Sequence, residues 1–238
     1  MEKHILMQTT PPPRGIDIIH EWQYTKKRFF SAPFYTLCID LTESEEVIFS
    51  RFAKNTKYEI NRAMKQDGIE SITIDMAKGK KAFYDFFDEF ANTKNLHPIN
   101  RDEIDLLAAH DMFVIRAALY KGEVIVYHTY ITVNGRARLA QSASLFREST
   151  ETDFRNIAGR ANRLLHWEDM RYFKAQNYKT YDLGGINKAL ANKETQAINK
   201  FKECFGGIEV MEYKSLVPVS VKGFIYLFYK WITGRIAY

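Results

Sequence analysis

The chain has 238 residues, enough for one large domain or two small ones with an ample core. With 46% hydrophobic and 26% charged residues it reads as an ordinary soluble globular protein, and its formal net charge of +5 mildly favours polyanionic partners: tRNA, a phosphate-rich cofactor or an anionic membrane surface. No stretch reaches the ~20 apolar residues of a transmembrane helix, and the first eight residues are too short to hold the apolar region of a signal peptide before PPP interrupts them. Cys38 and Cys204 lack metal-ligand or CxxC spacing. They read as buried thiols, which suits a reducing cytoplasm.

Residues 1–28 read as irregular, with PPPRG an extended segment. Residues 29–41 form a predicted strand with Tyr35, Leu37 and Ile39 on one face. Thr42 or Ser44 caps a helix predicted to run to about Gln66 and to stop at Asp67-Gly68. Lys54, Lys57, Arg62 and Lys65 make that helix basic, which is either a solvated face or a site for an anionic donor or acceptor. A strand over 69–76 follows. The helix over 80–94 then carries Phe83, Phe86, Phe87 and Phe90 on a core-facing side, and a short helix covers 101–110. Strands 112–120, 124–133 and 136–145 form a meander turning at Lys121-Gly122-Glu123 and Asn134-Gly135. A loop over 146–154 leads to a long helix, about 155–176, in which Glu168 falls on the apolar face and reads as a salt-bridged carboxylate.

A short strand over 180–183 is expected to stop at Gly184-Gly185. The next helix has apolar positions Ala197, Ile198, Phe201, Cys204 and Phe205, and a strand over 207–219 follows it. The aromatic helix over 221–232, flanked by Lys222, Lys230 and Arg235, either docks on the body or lies in a membrane interface, docking being the more ordinary outcome. The fold class is α+β (mixed α/β), with a mostly antiparallel central sheet flanked by helices.

There is no G-x-S-x-G, H-E-x-x-H or P-loop, and the six histidines do not pair at ligand spacing, so no metal site is expected. His128, alternating with Val126 and Tyr130, faces a cleft or is a satisfied histidine of the core or the surface. Lys202, at the edge of its helix's apolar stripe, can lay its methylenes on the core and point its ammonium into a cleft. Asp182 ends a buried strand just before Gly184 and Gly185, which let a ligand come close; the alternative is a turn-capping aspartate.

The order YDLGG, loop, FK-x-x-FGG resembles the C-terminal part of the FemAB aminoacyltransferases and of related acyltransferases with a GNAT-like fold. ANRLLHWEDMRYFKA resembles that family's preceding helix, and KYEINRAMKQDGI is similar to its basic R-x-x-x-x-A-x-x-x-G-[IV] helix; the likeness covers roughly 36–217. From residue 112 the order strand-strand-strand-helix-strand-helix-strand is that of the GNAT fold, whose central strands splay to admit the donor. Acetyl-CoA enzymes of that fold bind pyrophosphate on a [QR]-x-x-G-x-[GA] loop at the start of the long helix. The matching place here reads Asn156, Ile157, Ala158, Gly159, Arg160, Ala161, with Asn for Gln or Arg and with Arg155 and Arg163 nearby.

The resemblance implies direct acyl transfer to an amine. Lys202 would stabilise the developing negative charge with Phe201 beside it, and Asp182 would hold or deprotonate the amine. Phe201, Gly184, Gly185, His128, Lys57 and Arg62 are the expected substrate-binding residues. The implied donor is an acyl-CoA or acyl carrier protein thioester, with aminoacyl-tRNA as the alternative. Classical members have two GNAT-like domains and often a helical arm for tRNA. Here one is expected over 36–219, with a remnant of a second at about 36–76, an irregular segment at 1–35 and the tail at 220–238. The expected function is acyl or aminoacyl transfer to an amino group of a cell-envelope, polysaccharide or peptidoglycan precursor, small or lipid-linked. The alternatives are tRNA-dependent transfer to a peptidoglycan precursor, or a non-catalytic GNAT-like module. The expected location is cytoplasmic, with peripheral contact at the inner membrane face through the C-terminal helix left open.

Overall fold

The structure is a computed structural model that describes residues 3–6, 15–94, 97–145, 152–188 and 193–237. In chain order the elements are β1 (Lys3–Leu6), β2 (Ile18–Tyr24), β3 (Ser31–Asp40), α1 (Glu45–Ser50), α2 (Lys54–Arg62), a π-helical turn (Ala63–Asp67), β4 (Ile69–Ile74), α3 (Met76–Lys94) and α4 (Arg101–Ala109). They continue with β5 (Phe113–Tyr120), β6 (Glu123–Val133), β7 (Arg136–Ser144), α5 (Thr152–Ala175), β8 (Thr180–Ile186), α6 (Lys193–Glu203), β9 (Ile208–Pro218) and α7 (Val221–Ile232). From β5 onward this is the expected order of strands and helices.

The chain divides into two compact units that alternate along the sequence: Met1–Leu37, Gly185–Asn199 and Glu209–Tyr238 in one, Cys38–Gly184 and Lys200–Ile208 in the other. The stretch 1–28, expected to be irregular, contains two strands among its described residues. Ile18–Tyr24 is a strand that pairs antiparallel with β9 and parallel with β1, which joins the two ends of the sequence in one unit. A core of Ile18, Phe30, Leu216 and Leu227 completes it.

In the larger unit β4, β5, β6 and β7 pair antiparallel in sequence order, and β8 joins β7 in parallel. The turn at Asn134-Gly135 has both residues at positive φ, 51° and 71°, as a two-residue hairpin of the expected type requires. Alternation along β5 sends Phe113, Ile115 and Ala117 to one face, where Phe83, Tyr84 and Phe87 of α3 cover them. Ala118, with Ile125 and Val126 of β6, packs against Ala158, Ala161 and Leu165 of α5. Each large side chain buried this way contributes on the order of 1.5–3 kcal/mol.

The basic helix expected from residue 42 to Gln66 is broken at residues 51–53. Ser44 caps α1 by accepting from the Val47 amide, as expected. The chain then turns because Phe52 plunges into the core against Trp167 and Phe205, while the Ala53 amide donates to the Cys204 carbonyl at 2.9 Å. The π-helical turn ends at Gly68 in the left-handed conformation, where the sequence predicted a stop. Cys38 and Cys204 are half-buried and form no disulfide with each other.

Candidate functional site

β7 and β8 pair over only three positions, from Arg136 opposite Thr180 to Arg138 opposite Asp182, and then part. On its other edge β7 carries a bulge at Ala140, because Thr129 faces Gln141 while the next residue, Tyr130, faces Leu139. The strand expected to stop at Gly184-Gly185 runs on to Ile186, and the Gly185 position lies against the Phe34 ring.

Asp182 sits where pairing stops and is fully buried. Its Oδ2 accepts from Arg136 Nη2 at 2.7 Å and Nε at 3.1 Å, and Arg138 Nε lies 3.7 Å away. Its Oδ1 accepts the Gly184 amide at 2.8 Å. Both oxygens are thus engaged, which makes Asp182 an anchor for two guanidiniums and a turn rather than an open base. The Oδ1 contact to the Gly184 amide is that of a turn-capping aspartate.

Gly184 has φ of 78°, a conformation that strains any other L residue. A Cβ there would stand 3.1 Å from the Leu139 carbonyl oxygen and 3.6 Å from Lys202 Nζ. Gly184→Ala is therefore expected to lower stability by about 1–3 kcal/mol and to displace the lysine head. Urea melts measure the first effect. A melt like that of the unaltered protein would contradict the strain.

Lys202 projects from the last turn of α6. Ile198, expected on that helix's buried face, is instead exposed. What fixes Lys202 is the segment after it. Phe205 is buried against Phe52 and His166, and Gly206, at φ of 68°, leaves room where a Cβ would meet the Arg51 carbonyl oxygen at 2.6 Å. The FGG of the motif thus seats the end of α6 on the corner between α1 and α2. Burial strips water from the Lys202 ammonium and lowers its pKa to about 8; Asp182 opposes that shift and Arg138 adds to it. Phe201, one residue back, has the Arg163 guanidinium 5.1 Å from its ring centroid and the His166 ring at 5.6 Å. Arg163 in turn pairs with Glu59 of α2 at 2.8 Å.

Beneath these residues lies a buried polar chain that the sequence reading did not single out. Arg116 of β5 donates Nε to Asp169 Oδ1 at 2.8 Å and Nη1 to Thr73 Oγ1 at 2.6 Å. Asp169 Oδ2 receives the Tyr130 hydroxyl at 2.6 Å and lies 2.9 Å from His128 Nδ1. Tyr130 and Tyr181 hydroxyls are 2.7 Å apart, and Tyr181 is 2.7 Å from His166 Nδ1. A hydroxyl has one proton. Tyr130 gives its proton to the carboxylate, so Tyr181 must donate to Tyr130, and His166 must donate from Nδ1 to Tyr181. Burial, then the fields of His128, Lys202 and Arg163, hold the His166 pKa well below the usual value, so the ring is neutral with its Nε2 unprotonated. Burial and Asp169 push both tyrosines well above theirs.

His128 belongs to this chain and faces the core; its Nε2 is 2.8 Å from Asn162 Oδ1. Two signals were present in the sequence: a lone Arg116 inside the apolar run FVIRAAL, and Asp169 four residues from both Leu165 and Phe173. Glu168, the carboxylate picked out instead, is half-buried and pairs with Arg171 at 3.1 Å, a structural bridge as expected.

The proposed phosphate loop is not a loop. Asn156, Gly159, Arg160 and Ala161 lie inside α5, which starts at Thr152, so their amides face the helix's own carbonyls. Ala161 is core, and Arg160 grips Asp67 with Nε and Nη2 at 2.5 and 3.0 Å. Arg155 is exposed in the first turn. Most of the loop expected before the helix, residues 146–151, falls outside the described residues. Lys57 donates to the Ser50 carbonyl at 3.0 Å and so closes the end of α1, while Arg62 is exposed at the end of α2; neither joins the Lys202 cluster. Among the described residues no group of three or more His, Cys, Asp or Glu is placed to hold a metal.

FemX superposes on this chain with a TM-score of 0.64 at 12% identity, over 82% of this chain and 63% of FemX. The chain has a GNAT-like fold. The C-terminal domain of a putative lysylphosphatidylglycerol synthetase from Agrobacterium fabrum shares it with a TM-score of 0.54 at 10% identity, over 93% of this chain and 74% of that one. L-PGS from Bacillus licheniformis shares it with a TM-score of 0.52 at 12% identity, over 92% and 74%. No protein-family profile matches the sequence, and no curated protein does. At such identities the likeness is one of fold, and the GNAT-like frame is what it contributes to the site: parted β7 and β8, with Lys202 beside the opening.

Proposed function

We propose that the chain is an acyl- or aminoacyltransferase acting on an amino group of a cell-envelope precursor. The observation that carries this reading is the Lys202 ammonium, desolvated to a pKa of about 8 and set beside Gly184 where β7 and β8 part. The amine attacks the carbonyl carbon of a thioester or ester; the C–N bond forms, the C–S or C–O bond breaks, and the amine's proton leaves with the departing group. Negative charge collects on the carbonyl oxygen meanwhile, and a fixed, poorly hydrated cation stabilises it more than a hydrated one would. Arg136 and Arg138, held by Asp182, keep the opening positive. An aminoacyl moiety is supported by the name of the Agrobacterium domain, that of a putative lysylphosphatidylglycerol synthetase. The helical state of 156–161 removes the local support for CoA pyrophosphate at that place.

A thermal-shift screen with acyl-CoAs, acyl carrier protein thioesters and aminoacyl-tRNAs tests the reading, because a ligand of the native state raises its stability by mass action. One donor class is expected to raise the melting temperature and to be consumed when an amine acceptor is added. Stabilisation by a donor that no acceptor discharges would favour the non-catalytic module.

A further inference from the structure

The smaller unit ends in a helix that is apolar nearly all round yet covered on one side only. α7 docks through Gly223 and Leu227 against Ile18 and Phe30, which fulfils the expectation of docking. The opposite arc remains in water: Phe224, Ile225, Phe228, Trp231 and Ile232, three and four residues apart, are 42–62% exposed. Phe29, 69% exposed, extends this surface by packing on the Trp231 ring at 5.4 Å. A face of this kind marks an interaction site.

The surroundings of the face say what meets it. Lys26 and Lys27, both exposed, come just before Phe29, and Lys222 and Arg235 are exposed on and just beyond the helix. The nearby carboxylates are already used: Asp17 takes Ser220 and lies 3.6 Å from Lys222, and Glu21 pairs with Arg28 at 3.1 Å. A hollow lined by Tyr226, Lys230 and Arg235 with Ile18 and Leu216 puts two cations beside apolar walls. Tyr226 and Tyr229 add amphipathic rings of the sort found at headgroup level. A helix of 12 residues is about 18 Å long, too short to cross a bilayer core, and among the described residues none is long and apolar enough to do so.

We infer that α7 and Phe29 form a membrane-docking face that lies flat in the headgroup region of an anionic lipid bilayer. A second copy of the chain fits the face less well. A two-fold contact would bring Lys222, Lys26 and Lys27 close to their own counterparts, whereas lipid phosphates complement them. This inference does not depend on the transferase reading.

The test is co-sedimentation of the full chain with vesicles of phosphatidylcholine alone and of phosphatidylcholine mixed equally with phosphatidylglycerol. Binding is expected to the mixed vesicles, weak for the neutral ones and reduced by high salt. Lys26→Gln with Lys27→Gln should weaken it roughly 25-fold, at about fivefold per lysine. Phe228→Ser with Trp231→Ser should weaken it more than about tenfold. Circular dichroism melts establish that each variant is folded. If a serine variant fails to fold, the lysine variant, which touches no core residue, decides alone. Absent binding to anionic vesicles, equal binding to both kinds, or folded variants that bind like the parent would each overturn the inference. So would a dimer that Phe228→Ser dissociates in a chain that ignores vesicles.

Discussion

Replacing Lys202 by methionine is expected to lower turnover by roughly 100-fold, the scale of losing one group that stabilises an oxyanion. Methionine keeps most of the apolar stem and removes only the charged head. The fold already disfavours that charge, as the lowered pKa of about 8 records, so the substitution removes a desolvation cost together with the function. Stability should therefore change by about 1 kcal/mol or less. Turnover and urea melts of the same preparation check both halves. Near-normal turnover would exclude Lys202 from the chemical step. A collapse of stability would mean that its ammonium holds the structure together.

The largest structural effect is expected from Asp169→Ala, a loss of roughly 3–5 kcal/mol. Asp169 is fully buried and is the acceptor at the end of the chain from His166 through Tyr181 and Tyr130, as well as the partner of Arg116. Alanine would leave a guanidinium of 7% side-chain exposure without its counter-charge, and a tyrosine hydroxyl without its acceptor. It would also release the order of protons that sets the His166 tautomer. Removing both charges by Arg116→Met with Asp169→Leu should cost less than the two single changes added, because neither partner is then stranded. Denaturant melts of the parent, Arg116→Met, Asp169→Leu, the double variant and Asp169→Ala measure this. Additive losses, or an Asp169→Ala melt within about 0.5 kcal/mol of the parent, would show the pair to be uncoupled.

The elements after residue 112 were legible because each has a strong period and a strong stop: alternation in β5 and β6, Asn134-Gly135 between β6 and β7, and the long apolar stripe of α5. The importance of the FK-x-x-FGG segment was legible too, though its reason differed. Ile198 does not anchor the helix; Phe205 and Gly206 do, against residues 51–53 far earlier in the chain. That contact is also what breaks the basic helix, and no local pattern announces it. The same holds for β2, whose pairing partner β9 lies almost 200 residues away, so IIHEWQY read as irregular. The GRA match at 159–161 failed because glycine and alanine suit a helix packed closely on a sheet as well as they suit a phosphate loop.

The buried polar chain was hidden for another reason. Its members Arg116, His128, Tyr130, His166, Asp169 and Tyr181 come from four elements, β5, β6, α5 and β8, and no short-range spacing in the sequence joins them. Only the pairing registers bring Arg116 beside His128, and Tyr130 near Tyr181. Asp182 shows the converse. Its position before two glycines suggested a base at the edge of a cleft, and Arg136 and Arg138, which occupy it, lie some 45 residues upstream on the neighbouring strand.

The most direct test of Lys202 as the cation at the parting of β7 and β8 is the pH dependence of turnover at saturating donor and acceptor. A lysine with a pKa of about 8 loses its proton as pH rises through that value. If the charge stabilises the transition state, turnover falls across about pH 8, and Lys202→Arg, whose guanidinium stays charged, moves the fall out of the range. Turnover that instead climbs through pH 8 in the parent would make neutral Lys202 a base. A profile identical in the parent and in Lys202→Arg would remove this lysine from the centre of the chemistry.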